Sequence, residues 1–291
     1  MSELGETRIG SRTFHWGERT FVMGILNVTP DSFSGDGLLA GADAVAASDA
    51  VAAAVAQAVA MADEGADLLD IGGESTRPGH AEVNEDEELR RTIPVVRAVR
   101  AALPSMPLTI DTTKPAVAAA ALDAGADAIN DIWGVAPDDR LPAIAAAREV
   151  PLIVMHNRAE PSYEDLVPDV IDDLRQALER ATQAGVPRAN LLVDPGIGFG
   201  KTAEQNLELL RRLGELRVLG LPILLGTSRK STLGKVLDLP ADQRVEATLA
   251  TTALGIAAGA DIVRVHDVRE NVRAARMADA IVRGSWREAT T

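Results

Sequence analysis

The chain has 291 residues, 46% of them hydrophobic and 25% charged, which is enough for one large domain with a sizeable core. It contains no cysteine, which excludes a disulfide framework, a thiolate metal site and a cysteine nucleophile. The formal net charge of −14 argues against a nucleic-acid partner, because contacts with phosphate need a basic surface.

The N-terminal segment carries neither an apolar signal sequence nor a basic amphipathic helix. Residues 1–20 are predicted to form a hairpin or cap that closes the bottom of the domain that follows. The longest weakly charged run, Ala44 to Met61, is rich in alanine and interrupted by polar residues, whereas a membrane span needs about 20 strongly apolar residues. We therefore expect a cytoplasmic protein with no membrane partner.

Eight short apolar runs recur along the chain and are predicted to be buried parallel strands. They are Phe21–Leu26, Leu68–Ile71, Leu108–Ile110, Ala128–Ile129, Leu152–Met155, Leu191–Val193, Ile223–Leu225 and Ile262–Val265. Helices are expected near 44–64, 86–102, 115–124, 141–148, 166–184, 202–216, 242–258 and 268–283, and the stretch from Leu233 to Leu239 is expected to be irregular or short. Pro115 and Pro142 fit first-turn positions of helices.

The eight strand–helix units predict the fold. Gly65, Gly125, Gly185 and Gly259 each end an alanine-rich stretch just before an apolar run, as suits the left-handed position after a helix. The prediction is an α/β fold, a single (β/α)8 TIM barrel over residues 21–285 with a tail at 286–291. The alternative is an open doubly wound sheet, although its GxGxxG fingerprint is absent, since GIGFG at 196–200 does not match it.

Every predicted strand carries polar residues at its end or is followed by them. They include Asn27, Asp70, Asp111, Asn130, Asp131, His156, Asn157, Asp194, Arg229, Lys230, Arg264, His266 and Asp267. In a (β/α)8 barrel, catalytic groups come from the carboxyl ends of the strands and the loops after them. The polar ends therefore predict one active site at the mouth of the barrel.

The basic residues near these ends are predicted to form a small positive basin on an acidic body. Its members are Arg77, Lys114, Lys201, Arg229, Lys230, Arg264 and His266. The loops after strands seven and eight often bind phosphate in this fold, so the basin indicates a phosphate or diphosphate ligand. The alternative is that Arg264 or His266 pairs internally with Asp267 or Asp261.

Three strand-end acceptors need a partner. Asp111, Asn130 and Asp194 would cost several kcal/mol if they were buried without hydrogen bonds. A heterocycle with an amidine-like N–H edge would satisfy them, and a divalent metal is the competing use of clustered carboxylates. Because the carboxylates lie on different strands, Mg²⁺ held mainly by substrate phosphates and one or two side chains fits better than a protein-built metal cage.

Eight segments, in order, resemble dihydropteroate synthases. They are MGILNVTPDSF (23–33), DIGGESTRPG (70–79), IDTTKP (110–115), NDI (130–132), MHNR (155–158), DPGIGFGK (194–201), SRKS (228–231) and RVHDV (264–268). The resemblance implies a transferase of folate biosynthesis that condenses (7,8-dihydropterin-6-yl)methyl diphosphate with 4-aminobenzoate, using Mg²⁺, to give 7,8-dihydropteroate and diphosphate. It also implies that diphosphate departs first, which leaves a pterin cation that the amine then attacks.

The same resemblance assigns site residues. Pterin binding falls to Asp111, Asn130, Met155, Asp194, Phe199, Gly226 and Lys230. Diphosphate binding falls to Asn27, Thr76, Arg77, Arg264 and His266, with Asn27 also the Mg²⁺ ligand. The aminobenzoate site falls to Phe33, Thr76, Pro78, Ser228 and Arg229, with Lys230 shared between this site and the pterin site. The catalytic residues are Asp111, Asp194, Lys230 and Asp36, and Arg264→Ala should then weaken diphosphate binding while sparing pterin binding.

Two departures from the family pattern concern the loops. The first loop reads DSFSGDG where the family has DSFSDGG, which moves its carboxylate from position 35 to Asp36, and His80 replaces the usual alanine. A sulfonamide-insensitive variant is therefore an open alternative. Two different classes of protein compete with an active synthase: a non-catalytic pterin-binding paralogue and a corrinoid-linked pterin methyltransferase. The resemblance also implies a homodimer through the late helices, 242–258 and 268–283.

Overall fold

The computed structural model describes residues 4–28, 44–74, 83–134, 136 and 139–284, and for residues 44–47 only the backbone. Several sequence-assigned residues lie outside the described part of the chain. They are Phe33, Asp36, Thr76, Arg77, Pro78 and His80, together with the tail at 286–291.

A two-stranded antiparallel hairpin precedes the barrel. Its strands are β1 (Glu6–Ile9) and β2 (Arg12–His15). Eight parallel strands follow in the described chain. They are β3 (Phe21–Asn27), β4 (Leu68–Gly72), β5 (Leu108–Asp111), β6 (Ala128–Asp131), β7 (Leu152–Met155), β8 (Leu191–Asp194), β9 (Leu224–Leu225) and β10 (Ile262–Val265).

The eight strands close on themselves. Their order is β8-β7-β6-β5-β4-β3-β10-β9, and a parallel bridge between Val193 and Ile223 joins β8 to β9. The Val193 N–H also donates to the Pro222 carbonyl at 3.0 Å. Closure excludes the open doubly wound sheet and confirms the (β/α)8 barrel.

Helices alternate with the strands. They are α1 (Ala44–Asp63), α2 (Glu85–Ala102), α3 (Pro115–Ala124), α4 (Leu141–Ala147), α5 (Leu166–Gln183), α6 (Ala203–Arg211), α7 (Ser231–Leu237), α8 (Val245–Ala258) and α9 (Val268–Val282). The helix expected at 202–216 is divided, because α6 ends at Arg211 and a 3₁₀ helix covers Leu213–Leu219. The short element expected near 233–239 is α7.

Local sequence signals explain the helix ends. Pro115 and Pro142 lie in the first turns of α3 and α4, where a missing N–H costs nothing. Gly125 and Gly259 follow α3 and α8 with φ of 114° and 104°, a conformation that strains a residue with a Cβ. The helix termini that these residues predicted are therefore confirmed.

The hairpin closes the bottom of the barrel, as predicted. Ile9, Phe14 and Trp16 are buried in one cluster with inward-facing residues of the parallel strands. Phe14 stacks on Trp16 with ring centroids 5.7 Å apart, and the Trp16 indole N–H donates to Thr7 Oγ1 at 2.9 Å. A second, larger cluster fills the layer between the strands and the helices.

Three aspartates of the repeated Gly-Ala-Asp sequence lie at this bottom end. Each accepts a hydrogen bond from the backbone N–H of a neighbouring strand or the residue just before it: Asp67 from Val22, Asp127 from Leu108 and Asp261 from Ile223. These carboxylates fix the register of strand starts, far from the polar mouth. In the described part of the chain, no helix has the length and apolar character to cross a bilayer.

Candidate active site

A cavity of about 560 Å³ opens at the carboxyl ends of the strands. It is of the size that small-molecule sites commonly have. Nine of the residues assigned from the sequence line it: Asn27, Asp111, Phe199, Gly226, Ser228, Arg229, Lys230, Arg264 and His266. The structure thus brings together side chains from β3, β5 and β10 and from the loops after β8 and β9.

Three further assigned residues are buried near strand ends without appearing in the cavity wall. Asn130 is in β6, Met155 ends β7 and Asp194 ends β8. Asp194 lies close to the cavity, because a Cβ at Gly226 would be 3.8 Å from its Oδ2. A glycine at 226 therefore leaves the approach to this carboxylate open.

Arg264 forms a buried ion-pair triad with two carboxylates. Its Nε is 2.6 Å from Asp70 Oδ2, and its Nη2 is 2.7 Å from Asp111 Oδ2. The internal partners suggested by the sequence, Asp267 and Asp261, are not the ones used. A residue assigned to diphosphate is therefore coupled directly to a residue assigned to pterin.

Asp70 joins this triad to the neighbouring strands. It accepts a hydrogen bond from the Thr109 hydroxyl and another from Asn130 Nδ2 at 3.0 Å. Asp70 is fully buried in β4 and has no assigned role from the sequence. Its position at a strand end was the available signal, but its partners lie 39 to 194 residues away in the chain.

Two buried side-chain oxygens on the neighbouring strands β5 and β6 lack a hydrogen-bond partner. Among the described residues, the unpartnered buried side-chain atoms are Asp111 Oδ1, Asn130 Oδ1 and Glu88 Oε1. Because Asn130 Nδ2 already donates to Asp70, its Oδ1 is fixed as an acceptor. Asp111 and Asn130 thus present two acceptors of the kind that an N–H edge of a heterocycle requires.

Burial makes the carboxylates of the site hard to ionise. Desolvation raises the pKa of Asp111, and Arg264 acts in the opposite direction. Desolvation also raises the pKa of Asp194, against the field of Lys230 and the 2.7 Å hydrogen bond from the Gly196 N–H. Perturbed carboxyls of this kind are common where a charge must be bound.

Lys230 lies between Asp194 and the loop after β8. Its ammonium group donates to the Ile197 carbonyl and is 4.3 Å from the centroid of the Phe199 ring. Desolvation lowers the pKa of Lys230 to about 8, while Asp194 raises it. At neutral pH Lys230 therefore carries a positive charge that Asp194 neutralises only in part.

Ser228 and His266 are hydrogen-bonded across the loops after β9 and β10. Ser228 Oγ accepts from the His266 backbone N–H at 3.1 Å and is 2.9 Å from His266 Nδ1. The pair fixes the orientation of the ring at the mouth.

Arg229 has an unusual backbone conformation for a non-glycine residue, with φ of 58°. Its Nε is 3.1 Å from Asp267 Oδ2, and a second guanidinium nitrogen contacts Oδ1. Arg244 donates to the Arg229 carbonyl at 2.9 Å and to the Lys230 carbonyl at 3.3 Å. Arg244, which no sequence pattern singled out, thus supports the loop that carries both cations.

The positive basin inferred from the sequence has to be corrected. Lys114 Nζ is 2.6 Å from Glu74 and 2.7 Å from Glu88, so its charge is balanced by two carboxylates. Arg229 and Arg264 also have carboxylate partners. These three cations are therefore held in ion pairs, because burying unpaired cations would be costly, whereas Lys201 and Lys230 donate to backbone carbonyls.

A second network of hydrogen bonds adjoins the loop after β8. Lys201 Nζ is 2.8 Å from His156 Nδ1, and His156 Nε2 is 3.0 Å from Asp173 Oδ2. Arg158 Nε donates to the same Asp173 oxygen at 2.6 Å. Lys201 and His156 were expected at strand ends from the sequence, whereas Asp173 is on α5 and gave no signal.

The His156 ring predicts a pH dependence of stability. Burial, together with Lys201, lowers its pKa from 6.5 to about 4. Between these two pH values the unfolded chain therefore binds a proton at this ring more readily than the folded protein does. The contribution of this ring to the free energy of unfolding is complete above pH 6.5. It is lost as the pH falls from 6.5 through 4, and the loss is about 3 kcal/mol at most. Urea unfolding at pH 7, 5.5 and 4.5 should show a shallower slope in His156→Asn. The exposed His15→Asn is the control, and an equal slope in His156→Asn would contradict the expectation.

Comparison with known proteins agrees with this architecture. The chain is 50% identical over 277 residues to the dihydropteroate synthase of Clostridium beijerinckii, covering 95% of this chain and 99% of that one. The Bacillus subtilis dihydropteroate synthase is 49% identical, with 91% and 90% covered. The Clostridium difficile dihydropteroate synthase, solved in the presence of pteroic acid, superposes with a TM-score of 0.87 at 49% identity, covering 93% and 99%. The Xanthomonas albilineans dihydropteroate synthase with 4-aminobenzoic acid superposes with a TM-score of 0.86 at 41% identity, and the match covers 95% of this chain and 97% of that one.

The closed barrel and the polar cavity at its strand ends define a (β/α)8-barrel enzyme with its active site at the carboxyl-terminal mouth. The sequence pattern of the family described as "Pterin binding enzyme" matches residues 23–266. The chain belongs to this family and, within it, to the dihydropteroate synthases, which are transferases of folate biosynthesis. A non-catalytic paralogue and a corrinoid-linked methyltransferase are not favoured.

Proposed function

We propose that the cavity binds (7,8-dihydropterin-6-yl)methyl diphosphate and 4-aminobenzoate and joins them to 7,8-dihydropteroate, with release of diphosphate. The observation that carries this assignment is the pair of unpartnered acceptors, Asp111 Oδ1 and Asn130 Oδ1, on residues that pair in register at the ends of β5 and β6. A pterin presents N–H donors along one edge, so it is the kind of ring that would satisfy them. Relatives of known structure that hold pteroic acid and 4-aminobenzoic acid support the two substrate classes.

The proposed reaction is a substitution at the methylene carbon of the pterin. The C–O bond to diphosphate breaks and its electron pair leaves with the diphosphate oxygen. The amine lone pair then forms the C–N bond, and the amine releases one proton. Asp111 and Asp194 would stabilise positive charge on the pterin between these two steps, since both are held in place before any charge develops.

The leaving diphosphate would lie near β3 and β10. Asn27 and His266 line the cavity there, and the hydrogen bond between Ser228 Oγ and His266 Nδ1 fixes the orientation of the imidazole ring. Arg264 has donors beyond the two that it uses on Asp70 and Asp111. Together these groups would stabilise negative charge on the departing oxygens.

Magnesium fits this site as a partner of the substrate. No group of three or more His, Asp or Glu side chains that could hold a metal is found in the described part of the chain. The Asn27 amide oxygen at the cavity wall is a hard donor of the kind that Mg²⁺ accepts beside phosphate oxygens. We propose that Asn27 and the diphosphate hold Mg²⁺, which would supply charge neutralisation to the leaving group.

The proposal is tested by diphosphate release from the dihydropterin diphosphate, with and without 4-aminobenzoate, and by detection of 7,8-dihydropteroate. Product that depends on both substrates and falls on chelation of Mg²⁺ is the expected result. Absence of an aminobenzoate-dependent product at saturating Mg²⁺ would reject it. An inhibition curve with a sulfonamide in the same assay tests whether the drug competes with 4-aminobenzoate, which would place it beside Ser228 and Arg229.

A homodimer is proposed through α8 and α9. These helices pack on each other and expose Leu254 (70%), Met277 (62%), Ile281 (72%) and Val282 (47%). Neighbouring apolar side chains on a surface indicate a protein interface.

We expect Ile281→Glu to convert the dimer to a monomer, because a charge would be buried without a partner in the interface. Light scattering at micromolar concentration measures the mass. Leu207→Glu, on α6 outside this face, is the control. A wild-type protein with the mass of one chain would refute the dimer.

A further inference from the structure

Lys201 uses its ammonium group within the protein. Nζ lies 3.0 Å from the Gly196 carbonyl, 3.0 Å from the Phe199 carbonyl and 2.8 Å from His156 Nδ1. An ammonium group has three hydrogens, and three acceptors surround it. The rim position expected from the sequence suggested an anion-binding role. Lys201 does line the cavity, but its hydrogens have acceptors within the protein and burial lowers its pKa to about 7, both of which disfavour binding of a phosphate.

His156 is oriented to receive this bond. Its Nε2 lies 3.0 Å from Asp173 Oδ2, and Arg158 donates to the same oxygen. Because a neutral imidazole carries its proton on the nitrogen that faces the carboxylate, Nδ1 is the acceptor for Lys201. The chain of bonds therefore runs from α5 to the loop after β8 through one buried ring.

The loop held by Lys201 is the turn Gly196–Gly200, and its backbone lies tightly against the segment that follows β7. Gly196 has φ of 68°, and a Cβ there would be only 1.8 Å from the His156 carbonyl. Tyr163 OH donates to the Gly200 carbonyl at 2.7 Å, which fixes the far end of the turn. Lys201 and Tyr163 thus hold the turn at three of its backbone carbonyls.

The same turn also contacts groups that are assigned to pterin binding. Its Ile197 carbonyl accepts from Lys230 Nζ, its Phe199 ring lies against the same ammonium group, and its Gly196 N–H donates to Asp194. The position of each of these three groups therefore depends on the shape of the turn.

We propose that Lys201 is a positioning residue for the reaction, which sets the affinity for the pterin substrate by holding the turn Gly196–Gly200 against Lys230 and Asp194. His156 and Asp173 take part by orienting the acceptor of Lys201. The inference rests on the proposed function, since it assumes that Asp194, Phe199 and Lys230 contact pterin. Lys201 acts through them and not by binding diphosphate.

The central test is Lys201→Met, which keeps the apolar stem and removes the three donors. Two carbonyls and one ring nitrogen are left without partners, so the turn should shift. We expect the Kd for a 7,8-dihydropterin ligand, measured by calorimetry, and the KM for the dihydropterin diphosphate both to rise about tenfold or more. The KM for 4-aminobenzoate should rise by a clearly smaller factor, because the turn affects that site only through the shared Lys230, whereas Asp194 and Phe199 are assigned to pterin alone.

A second pair of variants keeps the test independent of folding. Asp173→Asn weakens the orientation of His156 from the surface of α5 and should raise the pterin Kd by a smaller factor, about two- to fivefold. Its neighbour Asp172 is exposed and pairs with Arg175, so Asp172→Asn is the matched control with unchanged Kd. Nitrogen-15 spectra provide a direct signature, since the His156 pKa should rise when the Lys201 charge is removed.

The outcomes distinguish the positioning role from the proposed function. If wild-type protein forms no dihydropteroate, the proposed function fails. If wild-type protein is active and Lys201→Met binds pterin as tightly as wild type, the positioning role is overturned. Equal losses for both substrates, or a loss confined to diphosphate, would also overturn it, as would an unchanged His156 pKa.

Discussion

Arg264→Met is expected to lower both the stability and the activity of the enzyme. The substitution leaves the carboxylates of Asp70 and Asp111 buried without their shared cation. Breaking a buried ion pair in this way costs about 3–5 kcal/mol of unfolding free energy, which urea denaturation would measure. Product formation should fall about a hundredfold or more, since a preorganised charge at the reacting centre is lost.

The loss should include pterin binding as well as diphosphate binding. From the sequence, Arg264→Ala was expected to spare the pterin, but Arg264 contacts Asp111 at 2.7 Å and holds its charge. Without Arg264 the pKa of Asp111 rises further, and a protonated carboxyl accepts N–H bonds poorly. Calorimetric titration with a dihydropterin ligand distinguishes the two expectations, and an unchanged pterin Kd would favour the one drawn from the sequence.

Arg100→Met is a suitable control for this experiment. Arg100 also pairs with a carboxylate, Asp127, and donates to the Gly125 and Met106 carbonyls, but at the bottom of the barrel. Its removal should lower the unfolding free energy and leave both KM values unchanged at a temperature where the variant is folded. A partial recovery of stability in Arg264→Met/Asp70→Asn would show that unbalanced charge causes the loss.

Asp194→Asn should separate activity from stability. The amide oxygen of the new asparagine still accepts from the Gly196 N–H. Its NH2 group, which replaces the second carboxylate oxygen, presents hydrogens to the N–H edge of the pterin. We expect kcat/KM for the pterin substrate to fall about a hundredfold to a thousandfold, because a full charge opposite the pterin cation is lost. The unfolding free energy should change by only about 1 kcal/mol, since burial already disfavours this carboxylate and Lys230 can release its proton.

Asp261→Asn is the matched control for that variant. Asp261 is also buried and also accepts a backbone N–H, from Ile223 at 3.0 Å, at the opposite end of the barrel. Its replacement should affect the unfolding free energy and not kcat/KM. If Asp194→Asn retained turnover within about tenfold of wild type, a role for its charge in stabilising the cation would be refuted.

Local patterns in the sequence were sufficient for the barrel. Apolar runs and helix-ending glycines are signals of a few residues, so the bounds of β7 and β10 and of α3 were predicted to the residue. The helical stretch after β8 was less well predicted. It was expected to be continuous over 202–216, but Arg212 caps α6 and a 3₁₀ helix replaces the last part. Tertiary packing decides such endings.

The site shows where sequence reasoning stops. Strand ends gave Asp111, Asn130 and Asp194 as acceptors because a parallel barrel directs all its carboxyl ends to one mouth. The side chain that each acceptor pairs with in the folded protein could not be predicted from the strand ends. Asp70 is 194 residues from Arg264, and no local pattern links them.

By itself, the sequence determined the class of fold, the end of the barrel that carries the chemistry and the types of group found there, because these follow from periodicity and from the topology of parallel strands. Only the tertiary structure decided how the charges pair. Within the acidic body of net charge −14, three of the cations expected in a positive basin, Arg264, Arg229 and Lys114, each face carboxylates brought close by folding. Desolvation makes such pairing necessary, and pairing depends on distances in space that the order of residues does not contain.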